Sequence, residues 1–178
     1  QSEIVQFFIG REYLYLAELQ PDQHEELWQK AEDAFLKSIA LNDQYAKAYL
    51  GLGSVYMKRS AELLDAAIAS KQAVDPRSLQ FAEQGIETYK KVLELKPDPG
   101  QPGNPDQDLA RLNLGSAYRQ KGATLLIQGD VDSALGAFDD AIQFLETVRP
   151  IFESSIPEHE SYRRYLVQTH EYLGTVYQ

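Results

Sequence analysis

Cysteine is absent from the 178 residues, so neither a disulfide framework nor a thiolate metal site can form. Long apolar runs are absent as well. Stretches such as Leu125-Leu126-Ile127 fall far short of the ~20 residues that span a bilayer, and no signal peptide is evident. Basic residues are the minority, with 17 Lys and Arg against 27 Asp and Glu and a net charge of −10. Nucleic acid and anionic membrane both require a positive surface, which argues against either as a partner. A basic or apolar protein segment suits this charge better. No segment alternates with period two between turn signals, so no strand is expected. The chain does not begin with Met, and both ends lie in helical pattern, which reads as a piece of a longer protein. The cytoplasm is the expected location.

What is present is helical periodicity. Ala31, Ala34, Phe35, Ser38 and Ile39 share one face at i, i+3, i+4, i+7 and i+8, and Ala134, Ala137, Phe138, Ala141, Ile142 and Leu145 do likewise. Breakers divide the chain into about seven helices. Pro21-Asp22 ends the first and caps the second, and Asn42-Asp43 ends the second. Asp75-Pro76 is a start signal, with Asp as N-cap and Pro in the first turn. The Pro- and Gly-rich stretch 96–105 must be a loop, Gly129-Asp130 ends one helix and caps the next, and Pro150 and Pro157 bracket a final break. The expected helices span 2–19, 22–41, 45–74, 76–96, 106–128, 131–149 and 158–177.

Self-similarity adds to this. Ile9-Gly10-x2-Tyr13, Leu52-Gly53-x2-Tyr56, Leu114-Gly115-x2-Tyr118 and Leu173-Gly174-x2-Tyr177 share one pattern. Ala31-x3-Phe35, Gly85-x3-Tyr89 and Ala134-x3-Phe138 share another, a small residue followed by an aromatic one. In this order the two patterns resemble the tetratricopeptide (TPR) repeat, in which a Leu-Gly-x2-Tyr helix precedes a small-x3-aromatic helix. The resemblance covers nearly the whole chain. It implies an all-α fold, a TPR-like right-handed superhelical stack of antiparallel helix hairpins. These would be hairpins 2–41, 45–96 and 106–149, with an unpaired final helix 158–177, in a single solenoid over 1–178. The glycine would let paired helices approach closely, and the aromatic residue would fill the wedge between successive hairpins.

The glycines lie 43, 62 and 59 residues apart, against about 34 in the family. In hairpin one both helices are longer. In hairpins two and three the excess falls mainly on the first helix. These two first helices are expected to overshoot their partners at one end. Leu63, Leu64, Ala67 and Ile68 would then meet Leu125, Leu126 and Ile127 in an apolar flange.

In such stacks the first helices line a concave groove that holds a peptide. Carried over from each glycine, the groove would contain Lys47, Leu50, Ser54 and Lys58, then Leu112, Asn113, Ser116 and Arg119, then Glu171 and Tyr172. Ile4, Phe7 and Phe8 are expected to pack against neighbouring helices. The family's Lys-, Asn- and Arg-bearing clamp for acidic chaperone tails has no counterpart, because its places hold Phe7, Arg11, Gly51, Leu109 and Asn113. Regular repeats and a basic groove, the marks of RNA-binding helical arrays, are also missing. His24-Glu25-Glu26, His159-Glu160 and His170-Glu171 lack the paired histidines of a helical zinc site and read as solvated surface. Asp130-Val131-Asp132 lacks the rest of a calcium loop and reads as capping. No metal or cofactor is therefore expected, and no catalysis. The expected role is a protein–protein interaction scaffold that holds a peptide or partner protein in the groove. The alternative is a regulatory or substrate-presenting arm of a larger enzyme or signalling protein. The final helix carries Tyr162, Tyr165, Leu166, Tyr172, Leu173, Val176 and Tyr177, too many large residues for a polar cap. Self-association through that edge is expected.

Overall fold

The computed structural model describes residues 2–96, 104–155 and 160–177. Among them are seven α-helices: α1 (Glu3–Leu19), α2 (His24–Leu41), α3 (Ala46–Ser70), α4 (Pro76–Glu94), α5 (Pro105–Gln128), α6 (Val131–Ser155) and α7 (Glu160–Val176). The expected loop at 96–105 falls mostly on residues 97–103, and the break at Pro157 on residues 156–159. Both lie outside the described residues.

Local chemistry explains most helix ends. Asp75 and Asn104 each accept a backbone N–H in the first turn of the following helix, with Pro next in sequence. Asp130 accepts from Ser133 N at 3.2 Å. Gly129 closes α5 at φ 87°, and the N–H of Asp130 reaches back to the Leu125 carbonyl at 3.0 Å. This left-handed stop satisfies carbonyls that a continuing helix would otherwise occupy. Two expectations fail. Asp22 does not cap α2; a short 3-10 turn, Pro21–Gln23, leads into it, and no side chain caps its start. Pro150 does not end α6, which runs on to Ser155. An interior proline removes one helix hydrogen bond and costs about 3 kcal/mol. Here the next turn carries Phe152, fully buried against Val148, Leu145 and α7, and that contact holds the helix beyond the proline.

Successive helices pack as antiparallel pairs: α1 with α2, α3 with α4, and α5 with α6, with α7 resting on α6 and α5. The first helices α1, α3, α5 and α7 also touch one another in order, whereas among the described residues α2, α4 and α6 do not. Glycines set the approach. A Cβ on Gly10 would lie 2.7 Å from the Phe35 ring, and one on Gly53 would lie 2.4 Å from the Tyr89 ring. Met57 meets Gly85, four residues from the Gly53–Tyr89 contact on each helix, as antiparallel packing requires. In the third pair the partners change. Gly115 receives Leu145, and the expected aromatic Phe138 lies two turns away against Gly122. Phe35 fulfils the wedge expectation fully, because its other side lies against Gly51 of α3. Burying such a ring contributes roughly 1.5–3 kcal/mol.

Small hydroxyls hold the centre. Ser60 and Ser78 are fully buried and donate to each other's carbonyls at 2.7 and 3.0 Å, joining α3 to α4. Thr124 of α5 comes within 3.4 Å of Ser78. The flange forms only in part. Leu64, Ala67 and Val74 pack with Ala123, so the ends of α3 and α5 do meet. Yet α6, with 25 residues, is as long as α5, with 24, and covers its end: Leu125 packs on Ala134 and Ala137. Ile68, Leu126 and Ile127 stay exposed.

Candidate partner-binding surface

The groove residues carried over from the glycine pattern fall into three groups. Leu50 and Leu112 are core side chains. Leu50 packs with Ile86, Tyr89 and Leu114, and Leu112 with Leu145 and Val148, so neither has surface to give a ligand. Each lies three residues before the glycine of its helix, a position that faces the partner helix as the glycine does.

A second group bridges neighbouring first helices. The Lys58 ammonium lies 2.8 Å from the Glu18 carboxylate, tying α3 to α1. The Arg119 guanidinium stands 5.3 Å over the Tyr172 ring, tying α5 to α7. Between them Gln120 donates to the Met57 carbonyl at 3.3 Å, tying α5 to α3. Ser54 turns its hydroxyl back to the Leu50 carbonyl at 2.9 Å and lies 3.3 Å from the Tyr89 hydroxyl. Burial pushes that phenol up to about 12, so Tyr89 stays neutral at ordinary pH.

The third group is open. Lys47 and Glu171 are exposed, and Asn113 and Ser116 are half-buried on α5. Lys47 also edges a small recess with Gln44, Lys96 and Asp106. The candidate residues that reach solvent thus sit along α3, α5 and α7, helices that touch side by side. They are polar, and several are already engaged in fixing one first helix to the next.

Sequence reasoning missed a second polar cluster. Arg59 is 5% exposed. Its guanidinium donates to Glu32 at 2.5 Å and to Gln29 at 3.1 Å, both on α2. Glu25 lies 3.1 Å from its Nε without hydrogen-bond alignment, and the Phe81 ring of α4 lies 5.5 Å away. Tyr56 donates to the same Glu32 at 3.0 Å; burial, then that carboxylate, push its phenol up to about 12. His24, read from sequence as solvated, is half-buried. It bonds to the Pro21 carbonyl, lies tilted against the Trp28 ring with centroids 4.7 Å apart, and sits 2.8 Å from Glu62. His24, Glu25, Arg59 and Glu62 edge a cleft of about 250 Å³ with Leu63, Arg77 and Phe81. The one available signal was an Arg at a register position that is Leu16 on α1, but that signal does not show where its partners lie. The His170-Glu171 pair is exposed as expected, whereas His159 lies outside the described residues.

Among the described residues no helix is long and apolar enough to cross a membrane. The chain matches no protein-family profile, and no curated protein sequence matches it.

Proposed function

We propose that this chain is a protein–protein interaction scaffold, a divergent TPR-like right-handed stack whose first helices form the concave, partner-facing side. The observation that carries this reading is the contact pattern: first helices touch first helices, and second helices stand apart. A stack packed tightly on one side and loosely on the other curves toward the tight side. The first helices then share one continuous inner surface. Struts such as Lys58–Glu18 and Arg119–Tyr172 keep that surface rigid, which lowers the ordering cost of binding. The occupant is an extended or helical segment of a protein, basic or apolar in keeping with the net charge of −10.

Site-specific photo-crosslinking tests this. A crosslinker at Ser116 on the inner side is expected to trap a protein partner, and one at Gly136 on α6 is not. The trapped species should be lost on Asn113→Arg substitution. Equal trapping from both positions, or capture of nucleic acid or a small metabolite alone, overturns the reading.

A further inference from the structure

Exposed apolar side chains on α1 and α7 leave their occupant open. Ile4 and Phe8 stay exposed where inward packing was expected, and only Phe7 turns in, against Phe35 and Tyr45. On α7, Tyr162, Tyr165, Leu166, Tyr172 and Leu173 pack toward the core, and Val167 and Tyr177 are the large side chains left exposed. The gap between α2 and α4 is more selective. We propose that the cleft there binds a free α-amino acid with an apolar side chain. The cleft is formed by three consecutive helices, α2, α3 and α4, on the side where second helices stand apart. It does not depend on the scaffold reading.

This gap differs from the one that follows it. Counted from the helix contacts Gly10–Phe35, Gly53–Tyr89 and Gly115–Leu145, the cleft residues Glu25, Leu63 and Phe81 correspond to Leu79, Leu125 and Ala137. Those three pack together and close the gap between α4 and α6. In the same count Arg59 and Gln29, 3.1 Å apart, correspond to Lys121 and Glu83, an ion pair at 2.9 Å, so both gaps share one register. Between α2 and α4 a carboxylate stands where the closing leucine would be, and a cleft of about 250 Å³ remains beside a buried arginine. Well-packed apolar residues in place of buried charges are commonly as stable or more so. Stability alone therefore does not account for the charged lining.

The lining calls for both halves of a zwitterion. Arg59 Nε is buried without a hydrogen bond, and the Glu25 carboxylate 3.1 Å away is out of line with its N–H. A buried donor left unpaired is costly. A ligand carboxylate aligned with that N–H satisfies it, with Arg77 as a second cation at the rim. The Glu25 side chain is 66% exposed, so it can swing aside and accept from the ligand ammonium together with Glu62. Because cation and anion stand side by side in the cleft, the ligand must carry its own opposite charges on neighbouring atoms. An α-amino acid does, since its ammonium and carboxylate share one carbon; the two ends of a peptide do not. Two guanidinium groups face two carboxylates, so a neutral zwitterion enters without the repulsion that a net charge of −10 imposes on an anion. Leu63 and the Phe81 ring supply an apolar wall for its side chain.

Isothermal titration calorimetry of the 178-residue chain with the common L-amino acids tests this, and leucine, methionine and phenylalanine are expected to bind best. N-acetylleucine lacks the ammonium and leucinamide lacks the carboxylate. Each should bind more weakly than leucine by about tenfold or more, the effect of losing one charge-assisted hydrogen bond. Glu25→Leu installs the residue that closes the next gap. It should abolish binding with an unchanged circular dichroism spectrum and no loss in urea midpoint. Glu25→Gln keeps the size of the side chain and should weaken binding by about tenfold. Absence of binding by every amino acid overturns the proposal. So does equal affinity for N-acetylleucine or leucinamide, which marks a site for one charge only. Undiminished binding by either Glu25 variant places the ligand elsewhere and overturns it as well.

Discussion

At the scale of the residue, the chain uses glycine in two ways that sequence alone does not separate. Gly53 and Gly136 both sit inside helices, where Ala is intrinsically preferred by about 1 kcal/mol. Gly53 has the Tyr89 ring 2.4 Å from where a Cβ would stand, and Gly136 has open space. Gly53→Ala is therefore expected to destabilise by roughly 1–3 kcal/mol through overpacking. Gly136→Ala is expected to stabilise by a few tenths to about 1 kcal/mol. Urea denaturation of both variants gives the two signs directly. The buried phenols supply a second residue-scale test. Tyr89 ionises near 10 when unfolded and near 12 when folded, so the unfolded chain loses its proton first as pH rises. Stability is fully present below pH 10 and falls between about 10 and 12, by on the order of 2 kcal/mol for this residue. Tyr89→Phe should flatten that fall, read as the urea midpoint against pH.

At the scale of the element, helix ends show where local signals suffice. Asp75-Pro76, Asn104-Pro105 and Gly129-Asp130 all act as their chemistry dictates, and each is legible in a window of a few residues. Pro150 is not. Its local signal says stop, and the buried contact of Phe152 overrides it. Phe152→Ala should cost about 3–5 kcal/mol and fray α6 beyond Pro150. Because Phe152 also touches Tyr162 and Tyr165, amide exchange should rise across α7 while α1 and α2 keep their protection. Unchanged protection in α7 would show that Phe152 does not hold the two helices together. The expected overshoot of α5 fails for a local reason: α6 starts at Val131, directly after the Gly129 turn, and its Ala134 and Ala137 lie back on Leu125.

At the scale of the whole molecule, among the described residues each helix touches only those one or two places away in order. Stability is then a sum of neighbour contacts, and the interior pairs have neighbours on both sides. Amide exchange is expected to be slowest in α4 and α5, near the Ser60–Ser78–Thr124 cluster, and faster in α1 and α7. Uniform exchange across all seven helices would instead indicate one indivisible cooperative unit.

Taken by itself, the sequence determined the all-α class, the number of helices, most of their ends, and the glycine notches at which paired helices meet. These depend on propensity, period and capping, which act within a few residues. It read the candidate surface less well. Lys47, Asn113, Ser116 and Glu171 keep access to solvent, but Leu50 and Leu112 belong to the core, and Lys58, Arg119 and Tyr172 spend part of their surface joining helices. Only the tertiary structure decided that Phe138 meets Gly122 instead of Gly115, that Arg59 finds Glu32, and that Phe8 faces outward while Phe35 lies between two glycines. The physical reason is the same in each case. Periodicity fixes which residues share a helix face, but whether that face is covered, and by which atoms, depends on the register of a second helix tens of residues away.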